Sequence, residues 1–122
     1  MKPTLWAALS ALELMLVVLM GSFGAHALKD RLSESSLQLW QTASHYLGVV
    51  ALATLGFAAL CQLLSASTRA FVPLQAGALI FSASLILLSL GAPRWIGAIT
   101  PIGGMLMIIG FAWFALFFVK YA

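Results

Sequence analysis

The stretch IGGMLMIIGFAWFALFFV, residues 102–119, runs eighteen positions without a charged side chain. A helix needs about 20 mostly apolar residues to cross a hydrocarbon core of roughly 30 Å. The apolar residues of this stretch go right round the helix and form no single stripe, the pattern expected when the surrounding solvent is lipid. Three similar runs precede it, at residues 5–28, 47–64 and 73–90. The first is broken by one charge, Glu13, and the second only by Thr54, Cys61 and Gln62. A membrane barrel would need at least eight strands of alternating polarity, and that alternation is missing.

Composition agrees. Hydrophobic residues make up 63% of the 122 positions and charged ones 7%, against roughly 45–50% and about 25% in an ordinary soluble domain. Length fits one domain. Water-soluble, disordered, fibrous and disulfide-stapled classes are excluded, the last by a single cysteine, Cys61, read as inert packing. Six scattered basic residues and a net charge of +3 suit flanks that meet anionic lipid and leave no nucleic-acid footprint.

Punctuation supports four helices. Gly91 followed by Pro93 closes the third. Thr100 with Pro101 reads as an N-cap with proline at the first helical position, and Pro73 plays that part for the third helix. Ser33 with Glu34 starts the second. A helix from there to Leu64 would measure about 46 Å, longer than the membrane is thick. Residues 34–45 therefore read as an extension or a separate amphipathic interfacial helix. Glu34, Gln38, Gln41 and His45 share one face of it, with Leu37, Trp40 and Leu47 towards another. Trp40 suits the headgroup level. Lys2, the apolar run that follows and Ala25-His26-Ala27 resemble a signal peptide with its cleavage site; we read this segment as a retained transmembrane helix.

Four spans place both termini on one side with Arg69. That side carries Lys2, Arg69 and Lys120, and the other Lys29, Arg31 and Arg94, so the positive-inside rule is balanced. The free amino terminus tips the expectation towards cytoplasmic termini.

Few residues offer chemistry. An ionised group at a helix centre costs about 2.5–3.5 kcal/mol on insertion scales, so Glu13 is neutralised, paired or turned to a polar cavity. It reads either as a protonatable site in an ion path or as a protonated carboxyl bonded to a neighbouring helix. His26 and His45 flank one membrane face, with Asp30, Glu34, Gln41 and Tyr46 nearby. The mixture suits a divalent ion, but the spacing matches no metal motif, and a structural role for His26 at the helix end is the plainer reading. No cofactor motif is present. Gly77, Ser84 and Gly91, then Gly103 and Gly110, recur every seven residues, while Gly48, Leu52 and Gly56 stand four apart. They read as close-packing seams within the chain or between copies.

Four segments are also familiar in order and spacing: Gly21-Ser-Phe-Gly-Ala-His-Ala-Leu-Lys29, Trp40-Gln-Thr-Ala43, Phe81-Ser-Ala-Ser-Leu85 and Ile99-Thr-Pro-Ile-Gly-Gly104. Over almost the whole chain the sequence resembles the small four-helix bacterial inner-membrane family called domain of unknown function 423, similar to transmembrane protein 256. The resemblance marks Gly21, Gly24, His26, Gln41, Thr100, Pro101, Gly103 and Gly104. It implies four transmembrane helices in a plasma membrane and brings no activity with it. The chain departs from the pattern at Val50, where the family has histidine, at His45, where glutamine is usual, and at Glu13, where no carboxylate is expected.

The expected fold is an all-α membrane protein: four transmembrane helices at about 5–28, 45–64, 73–90 and 101–119, in one antiparallel bundle, with a short amphipathic segment between the first two. The expected role is a non-enzymatic accessory or scaffold subunit, with no cofactor or metal, packing in the bilayer against other membrane subunits or itself. A small oligomeric transporter or channel using Glu13 and His26/His45 is the alternative. A metal- or cofactor-binding membrane enzyme comes third.

Overall fold

A computed structural model describes all 122 residues. It contains four long helices: α1 (Pro3–His26), α2 (Glu34–Leu64), α3 (Phe71–Ser89) and α4 (Thr100–Val119), with a short 3₁₀ turn (Arg94–Ala98) before the last. All four are long and apolar enough to cross a membrane. Consecutive helices pack against each other, α1 on α2, α2 on α3 and α3 on α4, as short connections dictate. The first helix is therefore part of the bundle. More of α2 and α3 is buried than of α1 and α4, so the outer pair flanks the inner pair.

The ends of the helices follow local chemistry, with two corrections. Ser33 caps α2 as expected, its hydroxyl accepting from the Ser36 N–H at 3.2 Å. The amphipathic segment is continuous with α2, forming its first three turns, with Glu34, Gln38, Gln41 and His45 all exposed. Gly91 adopts φ +98° after α3, and two reverse bonds, Gly91 N–H to Leu88 O and Ala92 N–H to Leu87 O, complete a Schellman motif. Thr100, by contrast, is not a cap. It is the first helical residue, Ile99 stands at the cap and Pro101 comes second, because the Thr100 hydroxyl is committed to Ser84 Oγ across the helix pair at 2.6 Å. Pro73 is likewise the third residue of α3, where its missing N–H is still one that no helical carbonyl would satisfy.

The α3–α4 contact is made backbone to backbone. A Cβ on Gly77 would stand 2.6 Å from Gly103 O, one on Gly103 2.5 Å from Phe81 N, and one on Gly110 2.6 Å from Leu74 Cβ. The seven-residue spacing of these glycines is thus used inside the chain. Gly91 is no part of that seam, since the helix has already ended. A Cβ on Gly48 would lie 3.5 Å from the Val17 side chain, whereas nothing lies within 4 Å of one on Gly56.

At the end holding the termini, Trp6, Phe71, Phe114, Phe57 and Phe118 pack in series, each ring centroid 4.5–5.6 Å from the next. The cluster draws on all four helices. Cys61 is buried nearby on α2, its thiol directed to Ser67 O at 3.7 Å. Thr68 Oγ1 donates to Met1 O at 2.8 Å, which ties the α2–α3 connection to the amino terminus.

Candidate functional site

Polar side chains gather in two places. The first lies in the core. Glu13 sits ten residues, about 15 Å, along α1 and is 2% exposed. Thr54 of α2 and Gln75 of α3 are buried with it, and the Gln75 amide nitrogen donates to Thr54 Oγ1 at 2.7 Å. Gln75 is the polar group facing the Glu13 carboxyl, yet neither carboxyl oxygen meets a donor in hydrogen-bond geometry. Hydrocarbon supplies no water to compensate, which is why polar groups in spans turn inward to each other. Gln75 is the member of this group that sequence reading missed. A further link lies towards the opposite end, where Ser82 Oγ donates to Ala43 O at 3.2 Å.

The second place is a groove at the end opposite the termini, between the last turns of α1 and the early turns of α2. Trp40 closes one side, its indole N–H donating to Met20 O at 2.8 Å. The indole is half-buried against α1 and holds it there, a role beyond the lipid-headgroup placement its position suggests. Gly24 makes this approach feasible: a Cβ there would lie 3.1 Å from two indole atoms. Gly21, one turn earlier, has nothing within 4 Å of its Cβ position and leaves the floor open. The resulting hollow of about 300 Å³ is lined by Met20, Gly21, Gly24, Ala25, Trp40, Gln41, Ser44 and His45. Gln41 and His45 also border an adjoining hollow with Gln38, Thr42 and Tyr46.

Two of the marked glycines, Gly21 and Gly24, therefore share this groove with Gln41 and His45. His26 does not join them. It is exposed on another side of α1, bordering a shallow hollow with Ser22, Phe23 and Ala27. The two histidines occupy one end of the bundle but open onto different surfaces, and no three His, Cys, Asp or Glu side chains come together as a metal site. Thr100, Pro101, Gly103 and Gly104 lie on the opposite flank, at the start of α4. There Gly104 borders an apolar hollow of about 380 Å³ with Tyr46, Val50, Phe81, Met107 and Phe111. Val50 keeps this wall apolar.

Replacing Trp40 by phenylalanine keeps an aromatic wall and removes one cross-helix hydrogen bond. The expected loss is about 0.5–1.5 kcal/mol, read as a lower unfolding midpoint of the purified protein in mild detergent. An unchanged midpoint would show that the bond to Met20 O contributes nothing.

These features define a small polytopic membrane protein: a four-helix bundle with a sealed polar core and one polar groove at a single membrane face. Residues 20–104 match the family described as Protein of unknown function (DUF423), and the chain belongs to that family. It is similar to a UPF0382 membrane protein of Staphylococcus epidermidis, 39% identical over 93% of this chain and 94% of that one. It is also similar to UPF0382 membrane protein YwdK of Bacillus subtilis, 37% identical over 93% and 94% of the two chains. No solved structure gives a significant match.

Proposed function

We propose that this protein is a non-catalytic accessory or scaffold subunit of the bacterial plasma membrane, which presents the Gly21/Gln41/His45 groove to another membrane protein or to a second copy of itself. One observation carries the reading. Exposed side chains over most of the bundle are apolar, as lipid contact requires, while the groove gathers amide, hydroxyl and imidazole groups above a glycine floor. Polar groups of this kind are the specific component of helix association in lipid. The reading places the termini in the cytoplasm and the groove at the opposite face.

A photo-crosslinking side chain at position 41 is expected to give a protein adduct of defined mass in intact cells, identified by mass spectrometry after mild purification. The same probe at position 52, which is exposed on the membrane-spanning part of α2, is expected to give lipid adducts alone. Lipid adducts at both positions, with a lone monomer on purification, would overturn the proposal.

A transport reading draws on the buried Glu13, but requires several copies to assemble a path, because four spans in one chain rarely enclose a pore. Its test is proton flux into liposomes carrying the purified protein, compared with liposomes carrying the Glu13→Gln variant.

A further inference from the structure

Three oxygen acceptors are enclosed in the bundle with no donor to meet them: both Glu13 carboxyl oxygens and Gln75 Oε1. Glu13 is 2% exposed and Gln75 3%. Two nearby side chains already spend a donor elsewhere, and the Trp6 indole N–H, two turns before Glu13 on α1, is itself buried without a partner. Gln75 Nε2 bonds Thr54 Oγ1, and the Ser10 hydroxyl, one turn before Glu13, donates to Ala7 O of its own helix at 2.7 Å. The membrane-spanning part of the chain offers no counter-charge. Both α3 and α4 lack titratable residues. On α1 the only other one is His26 at its far end, and on α2 Glu34, His45 and Tyr46 lie towards the opposite membrane face. Cys61 completes the set, with its thiol directed to Ser67 O.

A carboxylate in this position would stand in hydrocarbon with no cation near it, a costly arrangement. One proton relieves two of the three acceptors, one Glu13 oxygen and Gln75 Oε1. A carboxylic acid has one O–H donor and keeps acceptor capacity on its other oxygen, so it matches the free Gln75 oxygen directly. We propose that Glu13 is a proton-binding site, occupied in the resting protein. Its O–H is given to Gln75 Oε1, and the Gln75 amide passes the chain on to Thr54, so that a single proton ties α1 to α3 and α3 to α2. None of the five hollows in the bundle is lined by Glu13. The proton therefore exchanges only when α1, the least buried helix of the four, moves away from its neighbours. The bound proton thus acts as a latch on α1.

The test is infrared spectroscopy of the full-length protein in lipid at neutral pH, with carboxyl-labelled glutamate. The chain has two glutamates, and the other, Glu34, is exposed in the first turn of α2. One labelled carboxylic acid C=O band is expected, absent in Glu13→Gln and shifted in Gln75→Leu as its hydrogen bond is lost. Slow hydrogen–deuterium exchange of that band is the signature of the latch. Carboxylate bands alone would overturn the proposal, since the opposite Gln75 amide orientation would then serve an ionised Glu13. A carboxylic acid band that emerges only when sodium is withdrawn would also overturn it, assigning the site to a metal cation. The label reads the wild-type chain directly, so the outcome does not depend on either variant folding.

Discussion

Gly103→Leu is expected to abolish recovery of folded protein in mild detergent, while Gly56→Leu is expected to leave folding intact. A Cβ at position 103 would lie 2.5 Å from Phe81 N, 2.8 Å from Gly77 O and 2.9 Å from Phe81 Cα. All three are backbone atoms, so relief requires α3 and α4 to separate along their whole length. Gly77 and Gly110 hold the same approach from either side, and the Ser84–Thr100 hydroxyl pair at 2.6 Å depends on it. Overpacking by single methylenes already costs about 1–3 kcal/mol in close-packed interiors. Leucine adds a full side chain where there is no room for the first atom, so the total is comparable with the whole stability of an ordinary small domain, about 5–15 kcal/mol. Gly56 has open space around it. Size-exclusion chromatography and circular dichroism distinguish the cases: aggregate or loss of yield for Gly103→Leu, a wild-type profile for Gly56→Leu. A folded Gly103→Leu protein would mean that α3 and α4 do not approach by this seam.

That seam shows how far sequence reasoning reaches. The spans were legible because hydrophobicity over about 20 residues is a local property, and α4 begins within two residues of the quoted stretch. The glycine spacing identified a seam, but not its partner. Gly77 and Gly103 meet across the helix pair, while Gly91, in step with Gly77, lies beyond the helix end at Ser89. The sequence did not disclose how Thr100 divides its hydroxyl between a cap and a cross-helix bond, since Ser84 is brought to it by packing. Gln75 was illegible for the same reason. Four residues into a span, it could as well turn to the headgroups, and its partners Thr54 and Glu13 lie on other helices. Glu13 was legible because a carboxyl group in hydrocarbon needs explanation wherever it turns. His26 and His45 were rightly placed at one end of the bundle, but rotation about each helix axis sends them to different surfaces.

Phe114→Ala is expected to lower stability by about 2–4 kcal/mol, against a change within about 0.5 kcal/mol for Leu116→Ala. Phe114 is fully buried and touches Phe57 of α2 and Phe71 of α3, with centroids at 4.5 and 4.6 Å. Through Phe71 it reaches Trp6 of α1. Lipid is as apolar as the core, so transfer to solvent supplies little of the effect. What is lost is packing: a cavity costs about 24 cal/mol per Å³, and roughly 100 Å³ left unfilled gives about 2.4 kcal/mol. Leu116 is 73% exposed to the lipid side, where alanine leaves no cavity. Unfolding midpoints in one detergent settle the comparison, and equal midpoints would show that the aromatic series does not join the helices. The cluster and the polar groove lie at opposite ends of the bundle, with the Glu13 layer between them. Phe114→Ala should therefore lower the midpoint yet preserve the adduct formed at position 41, provided the assay stays below the unfolding range. A lost adduct at that temperature would mean that the two ends are coupled through α1 or α2, the two helices that contribute to the core polar cluster and to both ends.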